Sequence, residues 1–353
     1  QQHRDFSLLR QDETAQQLYR QLRYAVPIID AALSKIVRLT GSYSVIASDP
    51  AVQKQLDAFV QQIPCDFSSQ GLQSFTDRFL DSLLTCGNAL GELLVDSRRR
   101  CITGLHCAEP DLVCLKPGKS DRAFFLRMTD GSPEERPLPH PERLLFCALH
   151  PPAGQIYGVS ILHGIPALCS ILLRIYECIG QNYDRIGNIP SDDPTERAYT
   201  TERVKAIAKE WAAGMRDSSS GEVRDFICAG DVDIKVIGAE NPLLDTEIPV
   251  RQLLEQIVSK LSIPPFLLGL NWSSTERMST QQADILTSEL EYYRRLLTPV
   301  IQQICTAFLR TIGSTAEISV EWDTINLQDE TEQALARLHT AQAMQIEQNL
   351  QKN

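Results

Sequence analysis

An α+β fold with unusually long helices follows from three features of the 353-residue sequence. Apolar residues recur at helical spacing over 12–40, 50–62 and 70–86, and at Gly87 the period changes to strand-like alternation. Two further helical runs bracket a turn-rich insert, and the second of them stops abruptly at Pro264-Pro265. A last, longer helical run begins after a short polar stretch that carries Trp272.

Taken in order, the first run, DETAQQLYRQLRYAVPIIDAALSKIVRLT over 12–40, has Asp12 or Thr14 near its cap. Leu18, Leu22, Ile29, Leu33 and Ile36 hold its helical spacing, and Pro27 kinks or interrupts it. From Gly87 to about residue 150, NALGELLVDSRRRCITGLHCAEPDLVCLKP, RAFFLRM and RLLFCAL alternate and are broken by Gly and Pro, as short strands are. The spacing then predicts a helix over 159–186, roughly 40 Å long and apolar on several faces. The insert over 187–245 holds a turn-rich GNIPSDDPTERAYT, a charged helix near 201–215, and strand-like VRDFICAG and VDIKVIG.

A second straight helix carries Pro249 in its first turn and runs to about Leu261, with Leu253, Leu254, Ile257, Val258 and Leu261 as its stripe. Pro264 and Pro265 remove two backbone donors, so this helix must end near Ile263. Phe266, Leu267 and Leu268 are then expected to be buried and to pin the chain, and Gly269 permits a sharp change of direction. Ser279 reads as the N-cap of a helix over 279–312, Gly313 as its stop, and Pro299 as a kink within it. AEISVEWDTI is one more strand, and the Gln-rich 328–353 a terminal helix with little apolar surface.

Composition narrows the function. Hydrophobic content of 43% and charged content of 22% are ordinary for a folded protein, and no apolar run reaches the length of a membrane span. No signal peptide opens the sequence, and a first residue of Gln1 rather than Met reads as a trimmed start. The ten cysteines, at 65, 86, 101, 107, 114, 147, 169, 178, 228 and 305, are scattered and predict reduced cytosolic thiols. A net charge of −11 argues against a protein that grips duplex DNA, since such affinity needs Lys and Arg on phosphates.

Fragments that imitate catalytic signatures fail on inspection. PGKS at 117–120 ends like a phosphate-binding loop, but the glycine that pattern needs at 113 is Val113. GVSILHG at 158–164 misplaces the second glycine of a nucleophile elbow, and a helix starting at Val159 explains Ser160 as an early-turn residue. Cys101, His106, Cys107 and Cys114 lack the paired C-x2-C spacing of a structural zinc site, and buried free thiols are the simpler reading. No catalytic, cofactor or metal site is predicted. Two alternatives stay open: a cytosolic metal- or thiol-dependent enzyme using the Cys101–Cys114 region, and a helical scaffold that binds a partner protein through 279–312.

Four stretches together resemble tailed-phage portal proteins over roughly residues 80–310. LLTCGNALGELLVDSRRRCITGLHCAEPDLVCL is similar to that family's passage from a helix through a GNAY-type turn into a strand pair. QIYGVSILHGIPALCSILLRIYECIGQNYDRIGNIP resembles its G-x-S-x-L start of a long helix. LLEQIVSKLSIPPFLLG resembles its helix ending in an aliphatic–Pro–Pro step, and STQQADILTSELEYYRRLLTPVIQQICTAFL the long helix that follows. The order and distances carry the resemblance rather than any one motif. Leu90 replaces the usual aromatic, Leu261-Ser262-Ile263 replaces aromatic–Gly–Val, and the tail after 328 is short.

The resemblance implies a non-enzymatic ring, typically a dodecamer, at one capsid vertex, through which DNA is packaged and ejected. It implies a wing over 1–158 with 279–326, stem helices at 159–186 and 246–265, and a clip at 187–245. A tunnel-loop region at 266–278 and a short helical crown at 327–353 complete the division. The implied partners are further copies of the chain, the major capsid protein, the terminase large subunit, a head-tail adaptor and, transiently and non-specifically, double-stranded DNA. No membrane is implied, and the location is the virion after assembly in the host cytoplasm. Asn271, Trp272, Ser273, Ser274, Thr275, Glu276, Arg277 and Met278 would form the tunnel loop. Glu247, Arg251 and Glu255 would face the channel, and Pro264, Pro265 and Gly269 would fix the junction of stem and loop.

Overall fold

The structure, a computed structural model, describes residues 13–96, 101–117, 122–126, 136–137, 140–187, 205, 209, 246–270 and 276–325. It is mixed helix and sheet, as the change of period at Gly87 implies. Pro27 divides the first helical run in two. Helix α1 (Glu13–Ala25) and helix α2 (Pro27–Thr40) are separated by Val26, whose extended backbone (φ −126°, ψ 92°) is what a residue before proline adopts. Strand β1 (Tyr43–Ala47) follows, then α3 (Pro50–Gln62), where the Asp49 carboxylate accepts from the Ala51 N–H at 2.9 Å as an N-cap.

Two two-residue strands, β2 (Pro64–Cys65) and β3 (Ser69–Gln70), form a tight hairpin before α4 (Leu72–Cys86). Helix α4 is the centre of the core: Phe75, Phe79, Leu80, Leu83 and Leu84 are buried outright. It packs against α1, α2 and α3 on one side and β4 (Asn88–Asp96) and β5 (Cys101–Ala108) on the other. Burial of these five side chains contributes roughly 2 kcal/mol each relative to exposure, which is why the helix cannot be displaced piecemeal.

After β6 (Val113–Pro117), β7 (Arg122–Leu126) and β8 (Arg136–Pro137) comes β9 (Leu144–Ala148). Five strands form one sheet in the order β3-β2-β5-β4-β9, antiparallel except where β2 meets β5, and β6-β7-β8 form a second. Helix α5 (Ile165–Gly187) is about 35 Å long, and α6 (Glu247–Lys260) is followed by a short 3-10 turn at Pro265–Leu268. The longest helix, α7 (Glu276–Thr311), is unbroken at Pro299 and buries Leu286, Leu290, Tyr293, Leu297, Ile301 and Ile304. Gly313 (φ 79°) ends it, with the Ser314 N–H donating to Leu309 O at 2.9 Å. Strand β10 (Ile318–Trp322) then returns to pair antiparallel with β1, Tyr43 opposite Trp322. The chain divides into two compact units, 1–166 with 256–353, and 167–255.

Three expectations are corrected. The helix expected from Val159 begins at Ile165, because residues 158–162 spend their polar groups on other elements, as set out below. Ser279 is not an N-cap: α7 already includes Glu276, Arg277 and Met278. Phe266 is 40% exposed and Leu267 and Leu268 are only half-buried, so they do not pin the chain. That role falls to Leu261, Ile263 and Pro264, which are buried because α6 ends at Lys260 and Ser262 turns left-handed (φ 53°). The insert at 188–245, apart from Lys205 and Lys209, and the tail from 326 lie outside the described residues.

Candidate functional site

Two corners set where the long helices leave the core. The first joins the end of α4 to the start of α5. Gly87 caps α4 in the left-handed conformation (φ 79°, ψ −8°), its N–H donating to Leu83 O at 2.8 Å. Its carbonyl accepts from the Leu149 N–H at 2.8 Å, and Leu149 O accepts from the Val159 N–H at 2.7 Å. Buried Asn88 accepts from the Gly158 N–H at 2.8 Å through Oδ1. The Ser160 hydroxyl donates to Thr85 O at 2.7 Å and accepts from the Leu162 N–H at 3.0 Å.

Backbone meets backbone here with no room for a side chain. A Cβ on Gly158 would lie 2.3 Å from Gly87 O and from both Leu149 N and Leu149 O, and one on Gly87 would lie 2.4 Å from Ser160 N. The Gly-Asn and Gly-x-Ser motifs are therefore two halves of one clasp. Leu90, in place of an aromatic, is buried beside Val113 and Leu144 with Ala108 and Phe146 against them. Ser160, being buried with its hydrogen committed to a carbonyl, is no nucleophile.

The second corner joins α6 to α7. Below it, Ile257 and Val258 are buried on α6, whereas Leu253 and Leu254 are half-buried. Gly269 (φ 75°) closes the 3-10 turn with its N–H on Phe266 O, and the Leu270 N–H donates to Pro265 O, both at 3.1 Å. This turn lies against α2. Pro264, Pro265 and Gly269 thus meet at one bend. Asn271, Trp272, Ser273, Ser274 and Thr275 lie outside the described residues, and Glu276, Arg277 and Met278 stand in the first turn of α7. Three of the eight residues expected in the tunnel loop are therefore helical.

Glu247, Arg251 and Glu255 recur every four residues on α6, and Arg251 Nε donates to Glu255 Oε1 at 2.9 Å. Arg251 and Glu255 form a half-exposed i,i+4 ion pair, which partly offsets the Arg251 charge.

The cysteine region does not converge. Cys101 and Cys107 stand at opposite ends of β5, about 20 Å apart along the strand. His106 Nδ1 lies 2.7 Å from Asp66 Oδ1, so that nitrogen carries the hydrogen it shares with the carboxylate. Burial works against the Asp66 charge, yet the Cys107 N–H, Arg78 and His106 together hold its carboxyl below the usual range. Burial pushes the Cys107 thiol up to about 12 and the Cys147 thiol to about 11, so neither supplies a thiolate near neutral pH. Among the described residues no group of three His, Cys, Asp or Glu is placed to hold a metal, and the Cys114 side chain lies outside them. No described helix is long and apolar enough to cross a membrane.

The sequence gives little warning of the clasp's steric demand. Gly87 and Gly158 are 71 positions apart, and each alone reads as an ordinary turn residue. It likewise gives no prominence to the Asp66–Phe67 turn, whose partners His106 and Arg78 are remote in sequence.

No family model and no curated protein matches the sequence. Solved structures do. A chain in the virion of a native gene transfer agent particle superposes with a TM-score of 0.59 at 14% identity, over 94% of this chain and 89% of that one. A chain in the neck of the native particle, computed with C12 symmetry, gives 0.55 at 14% identity, over 89% and 85%. An HK97 family phage portal protein from Corynebacterium diphtheriae gives 0.47 at 14% identity, over 86% and 95%, too loose a likeness to argue from. What this chain shares with the gene transfer agent chains is the fold, nearly end to end.

Proposed function

We propose that this chain is the portal subunit of a phage or phage-derived particle: a structural protein that forms a ring at one capsid vertex and conducts DNA. The observation that carries the proposal is the order α5, insert, α6, Pro-Pro corner, α7, built on a fold shared with chains of a gene transfer agent virion and neck. The motif resemblance over residues 80–310 supports the same reading independently of the fold. On this reading α5 and α6 are stem helices, 187–245 the clip, the α1–β9 region with α7 and β10 the wing, and 327–353 a short crown.

The apolar surface of α5 supports assembly. Ile171 is 50% exposed and Tyr176 46% exposed in the single chain, which a ring of head-to-tail copies would cover. On this reading residues 271–278, the last three of them in the first turn of α7, line the channel. The acidic balance, with Arg251 held by Glu255, suits a bore along which phosphates slide rather than bind. The terminase motor would dock on the clip and be replaced there by the adaptor, with the capsid protein gathered around the wing.

The test is native mass spectrometry and negative-stain microscopy of the full chain, alone and co-expressed with its capsid protein. A ring is expected, typically of twelve subunits. A species that is monomeric under every condition, co-expression included, sinks the proposal. Deleting Ser273–Arg277 should leave ring assembly intact while impairing DNA packaging or retention; loss of assembly instead would show the loop to be structural.

A further inference from the structure

Strand β1 has two edges, and different chemistry meets each. On one edge it pairs with β10. The Asp323 N–H donates to Ser42 O at 3.0 Å and the Ser48 N–H to Glu317 O at 2.9 Å, with Ser44 opposite Glu321 and Ile46 opposite Ser319 between them. Backbone groups alternate sides along an antiparallel strand, so Tyr43, Val45 and Ala47 turn theirs to the other edge. No described strand lies there.

One side chain takes the place of a strand. Gln53, at the end of the first turn of α3, accepts the Ala47 N–H through Oε1 at 2.8 Å and donates through Nε2 to Val45 O at 2.9 Å. A residue of a parallel third strand would offer those two groups the same acceptor and donor. The second Nε2 hydrogen goes to Asp57 Oδ1 at 2.7 Å, one turn further along α3. A flipped amide would set its oxygen against two acceptors and its nitrogen against a donor, so the three partners fix its orientation.

We infer that Gln53 guards the β1 edge: its amide stands in for an absent third strand and keeps the extended backbone of a second copy from pairing there. The inference does not depend on the ring reading. Exposed edges are ordinarily protected by a charge, a proline or a bulge. Strand β1, YSVIA, has no charge and no proline, and its register with β10 is unbroken. Ser44 and Ile46 are exposed on its outer face, so the strand is not hidden. The other margin of this sheet is protected differently. Strand β10 carries Glu321 and is flanked by Glu317 and Asp323, which set like charges against a second copy of itself. The uncharged edge carries the amide and the acidic edge does without such a pair of bonds.

Three variants of the full chain test this. Gln53→Leu and Gln53→Ala both free Val45 O and Ala47 N–H and leave the edge uncharged. Gln53→Glu also loses the bond to Val45 O but puts a charge on the edge, which protects it by the commoner means. Sedimentation velocity over a concentration series should show the Leu and Ala variants forming species heavier than any the parent forms, at concentrations at least about tenfold lower than the parent needs to match them. Infrared spectra of those species should gain an intermolecular β-sheet band, and Gln53→Glu should behave as the parent does. Leu and Ala variants that sediment like the parent overturn the inference. So does association of Gln53→Glu to the same extent, which would trace the effect to lost stability rather than to an opened edge. Heavier species without the β-sheet band overturn it as well. Gln53 is half-buried and outside the core, so the variants are expected to fold; loss of circular dichroism in both Leu and Ala variants would make the amide a folding element and not a guard.

Discussion

At the root of α5 glycine is required by space, whereas at the Pro264-Pro265 bend it is required by backbone conformation. A Cβ on Gly158 would strike three backbone atoms at 2.3 Å, yet a Cβ on Gly269 would meet nothing within 4 Å. Gly158 needs no unusual φ, and Gly269 (φ 75°) needs little else. One corner is locked by tertiary packing between segments about seventy residues apart. The other is made by local chain stiffness, two prolines and one left-handed glycine. The first can be broken only by moving backbone, the second by altering torsional preference.

Substitution should separate the two. Gly158→Ala should be the most damaging single change, costing roughly 3 kcal/mol or more, because no flexible side chain can yield to the new methyl group. Its urea midpoint, followed by circular dichroism, should fall well below that of every other variant considered; a near-parental midpoint would break the comparison at once. Asn88→Ala keeps the glycines but strands the buried Gly158 N–H, at an expected cost of about 1–3 kcal/mol in the same measurement. At the bend, Gly269→Ala should cost only about 1–2 kcal/mol, the penalty for a left-handed non-glycine residue in open space. Smallest of all, Phe266→Ser should cost monomer stability only about 1 kcal/mol, since that ring is 40% exposed. A larger loss there would show that the FLL segment is buried after all, and the bend would join the packing-locked class.

The same contrast explains what could be read from sequence. The Val26 break and the Gly313 terminus were legible because each follows from torsional limits of one or two residues. The start of α5 was not. Val159 to Leu162 have helical spacing, but the Val159 N–H goes to Leu149 O and the Ser160 hydroxyl to Thr85 O, so distant partners override local preference. Strand β1 went unrecognised for a like reason, its one partner among the described residues being β10. The burial of FLL was misjudged because α6 ends at Lys260, three residues before the expected stop, which turns Leu261 and Ile263 inward instead. Of the candidate site, the bend was legible and the clasp only as two unrelated motifs.

The pairing of Tyr43 with Trp322 also governs how the molecule is made. Residues 167–255 form their own unit between two parts of the first, so β1 leaves the ribosome long before the strand that completes it. At ordinary synthesis rates that wait is on the order of tens of seconds. During it, α1 to α4 can collapse through near-neighbour contacts, but β1 has only the Gln53 amide on one edge and open backbone on the other. The N-terminal part of this chain therefore passes through a period of exposure to wrong partners, and β10, when it arrives, covers the open one of those two edges.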